Sequence, residues 1–568
     1  MRSIPIIFLN IFCWCIFVLA LIITSLHRSW MHGTFTYLSY YIILALTVAW
    51  GVSLIGLYQH RQANTLLFIR RHWKGILASF LLASVVFISV PKYFRVLSDE
   101  TNLLSVAKSM TYYKHVENIT EGRWYYEMFW AAPSSGTEKR PFLFPFFTSL
   151  THTLLGYHVE NVFILNYFVL WAMLFLLYLV LQSSLGELGS VAGLILVVAQ
   201  PVVSLSATSG SFEIFNFLFI LASFLALRGF LNDPEHRTFI VLIMTLLMLA
   251  NVRYESILFL IITSIVLVVA GKVKADFFSR SLLYAIVPFF LLPLIWQRVL
   301  LAAELDPNLV GGSWLKAFRY ENFQHNLVLF FKYILAPSGQ WGYSGIVNGI
   351  GLLAIIFLSF RVMKSSFKDN KEVLLICSVT SILVLFTVVI SYQGGINDHP
   401  LNGRLYIPIL IPLSIAPIFL IADLLKKKQG WAMGGMVFSL VAFILYHPIA
   451  VEDRLTNNLE IIREYRHVDA FLKKNADKGT LIICGRPGQL IVSNYGAISY
   501  STANQEVSTV LEQFKNHLFS KIYVIQSISY KDKSPFKDEI IDPRYQFETV
   551  DELQVTGSYF LRISRVKD

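Results

Sequence analysis

Between Arg95 and Met110 the chain reads RVLSDETNLLSVAKSM, directly after an apolar run that ends near Pro91. Two adjacent carboxylates, Asp99 and Glu100, therefore sit where a membrane-length segment ends, in a chain of which only 15% is charged. Ser98 is read as the cap of a helix whose first turn holds both acids, where the helix dipole favours negative charge. Leu103, Ala107, Met110 and Tyr113 recur at helical spacing, so this helix is expected to lie along the membrane surface. An acidic first turn is also an ordinary stabilising feature of helices. Its meaning depends on the rest of the chain.

The 568 residues are 55% hydrophobic and 15% aromatic, with a mean hydropathy of +0.59. A soluble domain carries roughly 25% charged residues, and apolar runs of about 17 to 23 residues, long enough to cross roughly 30 Å of hydrocarbon, recur here to about residue 449. Thirteen spans are expected, at 4–26, 36–59, 75–91, 160–182, 187–205, 210–230, 237–252, 254–271, 281–303, 343–361, 372–393, 403–424 and 431–449. The first run has one leading Arg and no small-residue cleavage site, so it is read as a retained helix. The fold class is a polytopic α-helical membrane protein with a C-terminal α/β domain. Its domains are 1–450, containing a long external loop at 92–159, and 451–568.

The net charge of +11 resides in short loops between apolar runs and in the tail. HRQANTLLFIRRHWK, GKVKADFFSR, RVMKSSFKDNK and KKKQG all fall on one side when the spans alternate, which the positive-inside rule makes the cytoplasmic side. No nucleic-acid partner is expected. The same alternation places the N-terminus inside and the tail outside. Three of the four cysteines lie in apolar runs, so neither a disulfide framework nor a metal site is suggested. In the tail, LEIIREYRHVDAFLKK and NQEVSTVLEQFKNHL read as helices and TLIICG and KIYVIQSI as strands.

Several ionisable groups gather on the expected outer face. Lys139 and Arg140 precede Pro141 and an aromatic helix in TEKRPFLFPFF, where they suit either a lipid-linked phosphate or interfacial anchoring. Arg253 and Glu255 occupy the turn NVRYES, and Asp398, His399, Arg404 and Tyr406 lie in DHPLNGRLYIP. Glu213, in SGSFEIFNF, is an ionisable group inside a span and on that ground a site candidate.

Together, SDETNLLSVAKSM, EKRPFLFPFF and GRLYIPILIP resemble, in order, the first-loop Asp-Glu motif, the Lys-Pro stretch and the Arg-Tyr-Pro start of a late span in GT-C glycosyltransferases. The similarity is to the lipid A aminoarabinose transferases and the protein O-mannosyltransferases, which use polyprenyl-phosphate sugars. The chain departs from that pattern in having two spans ahead of the one before the acidic pair, Arg140 between Lys139 and Pro141, and Asn102 where an Arg is common. The resemblance implies Asp99 as catalytic carboxylate, Glu100 as its support, and Lys139, Arg140 and Arg404 as ligands of the donor phosphate. It implies a polyprenyl-phosphate-linked sugar donor, a lipid, glycan or protein acceptor, and membrane lipids as surroundings; no cofactor is expected, a divalent metal being left open. A flippase or transporter for lipid-linked saccharides would show inverted repeats and midplane charges. An O-antigen ligase or polymerase would carry its main external loop late in the chain, and an anchored receptor would not need thirteen spans.

Overall fold

In a computed structural model the chain divides into two compact units, one of Met1–Tyr93, Lys139–Phe147 and Phe163–Leu455, the other of Phe94–Glu138, Thr148–Val162 and Thr456–Asp568. The structure describes residues 3–567 except 63, 274–282, 305–319, 340, 363–369, 393–399, 426–429, 454 and 457–458. This division differs from a cut at residue 450, because the loop after the third span contributes to the same unit as the tail.

The first unit is helical, as hydrocarbon requires of segments that must satisfy their own backbone groups. Among the described residues eight helices are long and apolar enough to cross a membrane, and shorter apolar helices lie at His236–Ala250, Tyr254–Val269, Ala285–Leu301 and Gly345–Ser359. These helices overlap the expected spans, whereas a fifth shorter apolar helix, Leu143–Leu155, falls in the expected external loop. The spans 160–182 and 187–205 share one helical segment, Asn161–Val198, kinked at Gly186 with φ 67. That is the left-handed region, which glycine enters without steric cost. Between the expected spans 281–303 and 343–361, Tyr320–Ile334 forms a further helix, with Glu321 in its first turn and Lys332 in its last, both placed as the dipole prefers.

Close approach and buried polar groups hold these helices together. A methyl group at Gly351 would meet the Leu413 carbonyl oxygen at 2.0 Å, so the helix Gly345–Val362 depends on glycine to reach Ile407–Leu424. Gln200 Nε2 donates to Asn348 Oδ1 at 2.6 Å and to Ser414 Oγ at 2.8 Å, while its Oε1 accepts from Ser344 N at 2.9 Å.

The second unit is built on a seven-stranded sheet in the order β2-β1-β4-β3-β5-β7-β6. Its strands are β1 Glu117–Tyr125, β2 Phe129–Thr137, β3 Thr480–Ile483, β4 Gly496–Ile498, β5 Lys521–Ser529, β6 Phe547–Gln554 and β7 Tyr559–Val566. β3 is parallel to both β4 and β5, and β7 is antiparallel to β5 and β6. The early hairpin β1–β2 joins the tail's sheet through Gly122 opposite Ala497. Leu481 and Ile483 pack into one hydrophobic cluster and Ile482 and Cys484 into the other, which is why β3 is apolar without alternation.

Helix Leu97–Tyr113 is the corrected element. It packs on β1 and on the short helix Pro487–Ile491, and it is buried almost all round between Glu100 and Met110, Lys108 included, while Tyr113 is exposed. It is an interior helix of its unit rather than a one-faced surface helix.

Candidate active site

The acidic pair divides into two roles. The helix is capped by Val96, with no side-chain cap bond, and Ser98 lies within its first turn. The carboxylate of Glu100 reaches back instead to the backbone just ahead of the helix, accepting from Val96 N at 3.2 Å and from Arg95 N at 3.1 Å. Glu100 is 1% exposed, whereas Asp99 is half-buried. Arg95 is buried as well, and desolvation brings its guanidinium down to about 9 although Glu100 supports the charge. It therefore remains cationic at neutral pH and balances Glu100. Asp99 is the more exposed carboxylate of the pair.

The cationic candidates belong to the first unit. Arg253 grips Glu255 at two points, Nη2–Oε1 2.9 Å and Nε–Oε2 3.2 Å, the planar geometry that suits guanidinium. Arg404 pairs with Glu213 at 3.2 Å. Glu213 is 3% exposed, begins helix Glu213–Asn232, and its Oε2 has no hydrogen-bond partner among the described residues. The Arg253 guanidinium lies 5.5 Å from the Phe212 ring, and Ser256 donates to Asn216 at 2.9 Å, so NVRYES is stitched to the helix that carries Glu213.

Lys139 and Arg140 are fixed by their backbone. Arg298 Nη2 donates to the Lys139 carbonyl at 2.8 Å, Gln297 Nε2 to the Arg140 carbonyl at 2.9 Å, and Leu143 N to Asn251 O at 3.1 Å. The side chain of Lys139 is exposed and that of Arg140 half-buried. Arg298 stacks at 3.9 Å over Tyr254 and feels Arg140 as a like charge. Sequence reading passed over Arg298 because it falls in the apolar run LLPLIWQRVLL, although a charge inside such a run is itself a signal. Arg253 and Arg404 pair with Glu255 and Glu213, and Arg298 and Arg140 add positive charge beside Glu255, a surplus that suits an anionic headgroup.

Other candidates fall elsewhere. Tyr406 is fully buried, its ring 4.9 Å from that of Phe330 and 6.0 Å from that of Phe386, so it belongs to the helical core. Asp398 and His399 lie outside the described residues. Among the described residues no three His, Cys, Asp or Glu side chains are grouped to hold a metal ion. Lys108 was not singled out by sequence. It is 1% exposed, donates to Ile491 O at 2.9 Å and Asn494 Oδ1 at 3.1 Å, and lies 4.2 Å from the Trp130 ring.

The architecture is similar to that of ArnT, an aminoarabinose transferase, from Cupriavidus metallidurans, in crystals bound to undecaprenyl phosphate, with TM-score 0.54, 9% identity, and coverage of 86% of this chain and 97% of that one. The chain shares the GT-C fold. The apo ArnT structure gives TM-score 0.53 at 9% identity with the same coverage. An oligosaccharyltransferase from Archaeoglobus fulgidus reaches TM-score 0.45 at 10% identity over 81% of this chain and 70% of that one. No protein-family model and no curated protein matches the sequence. The GT-C fold agrees with the polytopic helical unit and the C-terminal sheet unit read from the sequence.

Proposed function

We propose that the protein is an inverting glycosyltransferase that moves a sugar from a polyprenyl-phosphate donor to a hydroxyl or phosphate-bearing acceptor, a lipid A, glycan or protein, on the outer face of a bacterial inner membrane. The acceptor oxygen attacks the anomeric carbon as the bond from that carbon to the phosphate oxygen breaks, and the acceptor proton passes to Asp99. A single displacement inverts the anomeric centre. Asp99 is assigned the base, Glu100 holds the segment that carries it, and Lys139 and Arg140, with Arg298 or Arg404, are assigned to the phosphate on which negative charge develops.

The observation that carries this reading is the difference within the acidic pair, Glu100 buried with two backbone donors on its carboxylate and Asp99 half-buried beside it. The likeness in fold to a transferase crystallised with undecaprenyl phosphate supports a polyprenyl lipid as donor carrier. The test is sugar transfer from a radiolabelled polyprenyl-phosphate sugar by purified protein, with donor binding measured in parallel. Asp99→Asn is expected to keep donor binding and to lower turnover by about 10²-fold or more. Wild-type turnover in that variant would remove Asp99 from catalysis.

A further inference from the structure

The parallel strands of the second unit open at their carboxyl ends into a crevice of about 610 Å³. β3 lies between β4 and β5, and the chain leaves β3 first for β4 on one side and later for β5 on the other. Open α/β sheets bind ligands outside the carboxyl ends of their strands where connections diverge in this way. Cys484 and Arg486 follow β3 at the crevice, Ser499 and Tyr500 follow β4, and Ser527 lies in the carboxyl-terminal part of β5.

The lining has a definite chemical character. Four carboxylates, Glu460, Glu464, Asp538 and Glu539, face one cation, Arg486. Two of them are fixed before any ligand arrives. Tyr559 Oη donates to Glu464 at 2.5 Å, and Ser527 donates to Glu539 from its backbone N–H and, at 3.2 Å, from its hydroxyl. Each ionised carboxylate has about four acceptor positions, so much of their capacity remains. Phe536 and Tyr559, with ring centroids 5.3 Å apart, supply an aromatic wall, and Tyr465 supplies another.

That charge balance disfavours phosphates and other anions, and the combination of preset acceptors with aromatic faces suits hydroxyls and an ammonium group. The volume lies within the range of small-molecule sites. We propose that this crevice is a saccharide site that takes a glycan bearing a free amine. It stands apart from the transfer reaction, since none of its lining residues is assigned a role there.

The experiment uses the full chain in lipid nanodiscs and calorimetric titration with the fully deacetylated glucosamine disaccharide, its N-acetylated counterpart, and trilysine. The deacetylated sugar is expected to bind saturably, with affinity about tenfold lower after N-acetylation and reduced by salt at about 150 mM. Glu460→Gln with Asp538→Asn, two exposed positions, should weaken it by about tenfold. Asp99→Asn and Lys139→Ala should leave it unchanged, which separates this site from that of the transfer reaction. Absence of saturable binding, indifference to the carboxylate substitutions, loss of binding in Asp99→Asn, or equally tight trilysine binding that these substitutions abolish would each overturn the proposal, the last in favour of a basic peptide.

Discussion

The carboxylate of Glu100 accepts the backbone N–H of Val96 at 3.2 Å and so closes the start of its own helix. With the N–H of Arg95 as its second donor, Glu100→Ala leaves two backbone donors without their acceptor. The cost is about 1–3 kcal/mol, read as a lower melting temperature of the purified protein. Glu100→Gln retains one acceptor oxygen and should lose less. Equal stability of Glu100→Ala and wild type would show that the clasp contributes nothing.

Arg298 is expected to matter for the donor even though it sits in an apolar helix. Its Nη2 holds the Lys139 carbonyl at 2.8 Å and its plane stacks on Tyr254. Arg298→Met should weaken binding of a polyprenyl-phosphate donor by about tenfold, through a lost charge-assisted contact or a displaced Lys139. Arg298→Lys keeps charge without the planar fork and should fall between the two. Donor affinity measured in nanodiscs decides this, and three indistinguishable affinities would confine Arg298 to packing.

The Glu213–Arg404 pair, 3.2 Å apart with Glu213 nearly wholly buried, calls for a double-mutant cycle. Removing Glu213 alone takes a carboxylate partner from a largely buried guanidinium, at a cost of up to about 3–5 kcal/mol. Glu213→Gln combined with Arg404→Leu should recover a large part of that loss. Additive losses across the cycle would mean that the two groups are not coupled.

Lys108 gives the second unit a pH dependence. Burial, with Lys478 as a nearby like charge, lowers its ammonium to about 7 from an ordinary value of 10.5. Between those two values the unfolded chain binds more protons than the folded one, so stability rises with pH across that window and is lowest below about 7. Melting followed from pH 6 to about pH 10 should show this rise, and Lys108→Met should flatten it while leaving Ile491 O and Asn494 without a donor. A wild-type curve as flat as that of the variant would place the titration elsewhere.

Orientation can be read with engineered cysteines after the four native ones are replaced. A membrane-impermeant thiol reagent applied to intact spheroplasts should label Lys531→Cys, an exposed tail position, and spare Gln62→Cys in the basic loop after the second span. The opposite pattern would invert the topology and with it the proposed face of reaction.

The sequence by itself determined the spans, because bilayer thickness sets how many apolar residues a helix must present and that count is local. Even the kink at Gly186 stands between two expected spans, where SSLGELGS breaks the apolar run. Strands β3 and β5 and the tail's amphipathic helices were legible in the same way, since burial on both faces of a strand or on one stripe of a helix leaves a pattern within a few residues. β6 was not legible, being an edge strand with most of its residues exposed. Only tertiary structure decided that the hairpin β1–β2 extends the tail's sheet, a pairing of Gly122 with Ala497 for which no local pattern exists. It also decided that Glu100 rather than Ser98 secures the helix start, that Lys108 is enclosed beside Trp130, and that Arg298 reaches the backbone of Lys139. Hydropathy and period register only the polarity of a residue's neighbours along the chain, whereas the partner of a buried charge is set by geometry, near in the chain for Glu100 and Glu255 and in distant segments for Glu213 and Lys108.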